Sequence, residues 1–119
     1  MPFIEVELTD GTFVRPHLAP DLTLEGNTTK LLFRNFLDEL KDDAVLSRIV
    51  ECRKDYAFFI KVFLNKQQLF KGTFVVEEYK EFPAVYAPHK SIMMFSLLLV
   101  HQPKKAVDQD DSPILTLES

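Results

Sequence analysis

From Tyr56 to Leu64 the chain reads Tyr-Ala-Phe-Phe-Ile-Lys-Val-Phe-Leu, apolar at both parities of a two-residue period and interrupted only by Lys61. Successive side chains of a strand point to opposite faces, so Phe58, Ile60 and Val62 share one face and Phe59, Lys61 and Phe63 the other. Such a segment needs cover on both sides. A second run, Ile92 to Val100, is predicted as a central strand buried on both faces. Between them, Asn65-Lys66-Gln67-Gln68 reads as a polar four-residue turn, and Leu69 to Phe82 as a long returning strand with a bulge near Gly72. Residues 56 to 102 are therefore predicted to form a three-strand antiparallel meander.

The N-terminus adds a hairpin. Ile4, Val6 and Leu8 alternate with Glu5 and Glu7, Thr9-Asp10-Gly11-Thr12 supplies a turn, and Phe13-Val14-Arg15 returns. Pro16 and Pro20 interrupt further pairing, so residues 16 to 27 are predicted to be irregular, with a short extended piece at Leu22-Thr23-Leu24. Asn27, Thr28 and Thr29 are competent N-caps ahead of Phe33, Phe36, Leu37 and Leu40 at helical spacing, which predicts a helix from Thr29 to Lys41. After Asp42-Asp43, the residues Val45, Leu46, Ile49 and Val50 predict a second helix ending near Lys54.

The expected fold is thus α+β: an antiparallel β-sheet, made of the N-terminal hairpin and the C-terminal three-strand meander, with two short helices packed on one face. At 119 residues the chain suits one domain. Eleven Phe against three Gly and no Trp supply bulky side chains for its core. That domain is expected over residues 1–103. Residues 104–119 are expected to be a flexible acidic tail with an apolar end, since Asp108-Gln109-Asp110-Asp111 precedes Ile114, Leu115 and Leu117.

A net charge of −4 disfavours nonspecific nucleic-acid binding. The single cysteine, Cys52, forms no intramolecular disulfide, and the acidic start lacks the pattern of a signal peptide; a cytoplasmic location is expected. The longest apolar run, Ser91 to Val100, is too short to span a bilayer as a helix, so no membrane role is expected. Asn27-Thr28-Thr29 matches a glycosylation acceptor, but with no signal peptide no glycan is expected.

Nothing in the sequence assembles a familiar catalytic or phosphate-binding motif. His17, His89 and His101 have no tight metal-ligand spacing, so no metal and no cofactor are expected. Cys52 reads as a structural thiol that Arg53 would activate only if the thiol were exposed. Tyr86, His89 and Lys90 combine a phenol, an imidazole and an amine in one loop and form a candidate ligand loop, against the plainer reading of a solvated turn. Glu77, Glu78, Lys80 and Glu81 read as a solvated strand end.

Two helices cover only one face of a sheet, and the second face needs a partner unless the N-terminal hairpin covers it. The expected function is a non-enzymatic protein-interaction or assembly module. It would use Phe59, Lys61 and Phe63 on the sheet face and Ile114, Leu115 and Leu117 in the tail, through self-association or a different protein partner. The rival is a small pocket protein that binds an apolar ligand or performs simple acid–base chemistry, with Lys61, Tyr79, Ser96 and His101 as its inward polar groups.

Overall fold

The computed structural model describes residues 1–88 and 90–103, with the backbone alone for Tyr86 and Ala87. Nine elements follow one another: β1 (Pro2–Glu7), β2 (Phe13–Val14), β3 (Asp21–Glu25), β4 (Thr28–Phe36), α1 (Leu37–Lys41), α2 (Ala44–Glu51), β5 (Phe58–Leu64), β6 (Gln67–Ala87) and β7 (Lys90–His101). All seven strands form one sheet in the order β2-β1-β5-β6-β7-β4-β3, and every neighbouring pair is antiparallel. The α+β architecture with two short helices on one face is the one the sequence predicts.

The largest departure is the predicted helix from Thr29 to Lys41. Its first eight residues are strand, and only Leu37–Lys41 is helical. Gly26, at φ 64°, and Asn27 form the turn between β3 and β4 rather than a helix cap. Thr29, Leu31 and Phe33 then alternate inward along β4, which lies hydrogen-bonded between β3 and β7. Leu22-Thr23-Leu24, expected as an isolated extended piece, is the middle of β3. The second helix is shorter than predicted, because Cys52 already leaves the helical conformation.

The hairpin between β5 and β6 turns on two residues, Asn65 and Lys66, at φ 54° and 69°, instead of four. The first irregularity in its register pairs Phe63 with Gln68 and Val62 with Phe70, leaving Leu69 as the extra residue, half exposed at 51%. A second falls at Glu77, between the rows Val76 to Leu99 and Glu78 to Leu98. Gly72 itself is not a bulge. Its missing side chain makes room for His101, whose Nε2 would lie 2.6 Å from a Cβ built there.

One face of the sheet holds the core. Ile4, Val6, Leu31, Phe33, Phe58, Ile60, Val62, Phe74, Phe95, Leu97 and Leu99 are all buried there, together with Leu40 of α1 and Val45, Leu46 and Ile49 of α2. Full burial of each such side chain contributes on the order of 1.5–3 kcal/mol. Asp43 fastens α2 to this layer: one carboxylate oxygen accepts from the Leu46 amide at 3.0 Å and the other from the Leu18 amide at 2.8 Å.

That last contact also explains the shape of the sheet. β2 and β3 are its two edge strands, yet only residues 15–20 join them. Seven peptide steps from Val14 to Asp21 reach at most about 25 Å. The edges of a flat seven-stranded sheet would lie about 29 Å apart at ~4.8 Å per strand. The sheet must therefore curl, and it curls around the helices: Pro16 and Pro20 are buried and Leu18 packs against the core. The helix side is concave and filled, and the opposite side is the convex outer face.

β5 leaves β6 after Phe74 and β4 leaves β7 at Met94, so beyond the row Phe82, Met94 and Phe36 the two strands run on as a two-stranded arm. Val85, at 82% exposure, and Met93, at 42%, lie on it. β7 is therefore fully buried on its inner face from Phe95 to Leu99, while Leu98 and Val100 on its outer face are only half-buried, so it is not buried on both sides from Ile92 onward as the sequence suggests.

Candidate functional site

Phe59, Lys61 and Phe63 leave β5 on the outer face, where the strand period puts them. The strands beside β5 bring further groups to the same face. Phe3 of β1 opposes Phe63 and stacks on it, with ring centres 4.7 Å apart and planes within 4° of parallel. The Arg15 guanidinium carbon lies 3.9 Å from the centre of the Phe3 ring, so cation, ring and ring form a column. Phe13 of β2 meets Phe59 at 6.3 Å and a tilt of 60°, and the Lys61 ammonium lies 3.8 Å from the Phe13 ring centre. Each of these cations lies against an aromatic face while its side chain stays partly in water.

Lys71 of β6 stands directly opposite Lys61, and Glu5 of β1 stands opposite it on the other side. Like charges facing each other across a ladder weaken the sheet, so the exposed Lys71 leaves positive potential on this face. Past an aliphatic band of half-buried Leu32, Val75, Leu98 and Val100 lies a second aromatic group. There Phe82 has Arg34 at 5.8 Å and Lys80 at 5.9 Å. A shallow depression of about 420 Å³, lined by Met1, Phe3, Arg15, Asn65 and Lys66, closes the opposite end of the patch.

Among the described residues, both helices and residues 16–20 of the connection lie on the inner face. The N-terminal hairpin does not cover the outer face either: β1 joins the sheet beside β5, and β2 beside β1.

The remaining candidates among the described residues do not converge. Tyr86 is in β6 and Lys90 begins β7 in the open, while His89 lies outside the described residues. Ile114, Leu115 and Leu117 lie outside them too. Lys61 and Ser96 sit on the outer face, whereas Tyr79 and His101 sit on the inner one, so the four groups of a pocket site are split across the sheet. Tyr79 donates to Glu81 Oε2 at 2.6 Å, and burial together with that bond holds its phenol well above the ordinary range. Glu77, Glu78, Lys80 and Glu81 are exposed, as a solvated strand end would be.

Cys52 donates its thiol to the Arg48 carbonyl at 3.0 Å, and burial pushes its pKa up despite the pull of Arg48. Arg53 is engaged elsewhere, with Nη1 donating to the Val50 carbonyl and its guanidinium over Tyr79. His17 is exposed and His101 is wedged between Phe70 and Phe74. Among the described residues no three His, Cys, Asp or Glu side chains gather as a metal site, and no helix is long and apolar enough to cross a membrane.

Phe3, Phe13, Arg15 and Lys71 belong to the site but are not singled out by the sequence. Their parity was readable: Phe3 shares the face of Glu5 and Glu7. What places them beside Phe59 and Phe63 is the strand order, which no local pattern encodes. Comparison with protein-family models, with curated proteins and with solved structures finds no match.

Proposed function

We propose that this chain is a non-enzymatic protein-interaction module whose outer sheet face binds an acidic, partly apolar segment of a partner protein. The observation that carries the reading is the layer of Phe3, Phe13, Phe59 and Phe63 with Arg15 and Lys61 lying over its rings. Rigid aromatic groups and arginine dominate the energetics of protein interfaces, and this face presents both without a covering element among the described residues. Lys61, Lys71 and Arg15 supply charge for carboxylates. Glu5 and Glu7 on the same face repel a continuous phosphate backbone more than a segment of mixed character, which favours protein over nucleic acid. A single cysteine, with no second one to form a disulfide, supports a reducing, cytoplasmic setting.

Selection of a displayed library of 12-residue peptides on the full chain tests the reading. Enrichment of Asp or Glu together with Leu, Ile or Phe is expected, with capture lost on a Lys61→Glu/Lys71→Glu chain. Peptides of no common chemistry, or capture undiminished by the double charge reversal, would overturn it. Self-association through the same face is measured separately by light scattering.

A further inference from the structure

The strand that ends at His101 leaves the sheet beside Thr73. The Gln102 amide donates to the Thr73 carbonyl at 2.8 Å, which fixes the exit beside Thr73. Thr73 is the outer-face neighbour of Phe59, and Lys71 lies two residues further along the same strand, opposite Lys61. The described chain therefore ends, at Pro103, beside the patch.

The composition of residues 104–119 complements the patch. Asp108, Asp110 and Asp111 come first, followed by Ile114, Leu115 and Leu117. Five residues beyond Pro103 reach about 17 Å, against roughly 7 Å along the strand from Thr73 to Lys71. Ile114 is eleven residues beyond Pro103 and reaches about 36 Å, ample for Phe63 and Phe3. The order of charges then apolar groups along the tail matches the order of Lys61 and Lys71, then Phe63 and Phe3, along the face.

We propose that residues 108–117 occupy the outer face of their own chain. The three aspartates lie over Lys61 and Lys71, the three aliphatic side chains lie against the Phe3–Phe63 stack, and the tail thereby competes with the partner. This rests on reading that face as a site for acidic, partly apolar segments. Attachment beside the site keeps the tail at an effective concentration of about 1 mM. If its intrinsic Kd is about 0.1 mM, it weakens partner capture roughly tenfold.

The test uses the full chain with Cys52→Ser and a nitroxide on Ser112→Cys, observed by NMR. Amide signals of Phe59, Lys61, Phe63 and Lys71 are expected to broaden, while those of Ile49 and Leu99 do not. The broadening should vanish in about 1 M salt, where the Debye length is ~3 Å, and in the Asp108→Lys/Asp110→Lys/Asp111→Lys chain. That triple variant should also capture the selected peptides roughly tenfold more tightly.

Broadening confined to the inner face, to β3 or to the residues beside Pro103 would overturn the proposal. So would broadening of equal strength in a mixture of labelled chain with a separate isotope-enriched copy, which identifies a second molecule as the occupant. If tail contacts are absent while peptide selection still converges on acidic, apolar sequences that need Lys61, the tail proposal alone fails. If the selection fails as well, the reading of the face falls with it.

Discussion

The Lys61 ammonium reaches across the intervening strand β1 to lie 3.8 Å from the centre of the Phe13 ring. A lysine directed at solvent would swing away from the sheet; this one lies along it and covers part of an aromatic surface while keeping its charge. Such a contact is worth about 0.5–1 kcal/mol at an exposed site. Lys61→Glu should therefore lower stability by no more than about 1 kcal/mol in urea denaturation while abolishing peptide capture. Phe59→Asp should abolish capture too. A Lys61→Glu chain that unfolds far more readily would show that the side chain serves the fold rather than a partner.

Asp43 is 2% exposed and accepts from two amides that belong to different parts of the chain. Asp43→Ala leaves both the α2 N-terminus and the 15–20 connection without an acceptor and should cost about 2–4 kcal/mol. Asp43→Asn keeps one carbonyl oxygen for two donors and should fall between alanine and the native residue. Equal loss for both substitutions in denaturant unfolding would contradict the two-acceptor account.

At Gly72 a methyl group would meet His101 at 2.6 and 2.8 Å and Phe70 at 3.2 Å. The imidazole has little room to retreat, because Phe70 and Phe74 flank it at 5.0 and 5.5 Å. Gly72→Ala should destabilise by about 1–3 kcal/mol through overpacking. Adding His101→Ala to Gly72→Ala should recover part of that loss. Strict additivity in the double-mutant cycle would exclude the steric explanation.

Burial holds the His101 pKa below its ordinary value of 6.5, because the charged imidazolium loses water between the two phenylalanine rings. Below pH 6.5 the unfolded chain then binds more protons at this residue than the folded one does. The stability contribution is complete above about pH 6.5 and is lost as pH falls through the lowered pKa. His101→Gln should flatten the unfolding free energy below about pH 6.5, with the carboxylate-driven fall at lower pH unchanged.

Lys66 holds a φ of 69° in the two-residue turn after β5, a conformation in which a Cβ crowds the following carbonyl. Lys66→Gly converts the turn to Asn-Gly and should raise stability by about 1 kcal/mol, read as a shift of the thermal midpoint. A lower midpoint would mean that the entropy of the added glycine outweighs the relieved strain.

The meander from Phe58 to His101 was legible because three runs of strand parity lie close together in sequence and need only tight turns to meet. β4 was not, because two periods overlap in it. Phe33, Phe36, Leu37 and Leu40 fit a helix, while Thr29, Leu31 and Phe33 fit a strand. The ladder from Lys30 to Phe36 against Val100 to Met94 decides between them, and those partners lie far down the chain. The same limit governs the site. Phe59, Lys61 and Phe63 are one face by parity alone, but Phe3, Phe13 and Arg15 join them through the order β2-β1-β5, which depends on long-range pairing.

That order has a consequence for how the chain is made. Among the described strands, β7 is the last to leave the ribosome and the one that joins the β3–β4 hairpin to the rest of the sheet. Until Val100 emerges, Leu31 and Phe33 have no long-range ladder beside them, and the growing chain exposes apolar strand edges. Contacts this distant in sequence favour slow, late closure over folding in step with elongation. A nascent chain halted before Val100 is thus a client for chaperones, not a smaller version of the same protein.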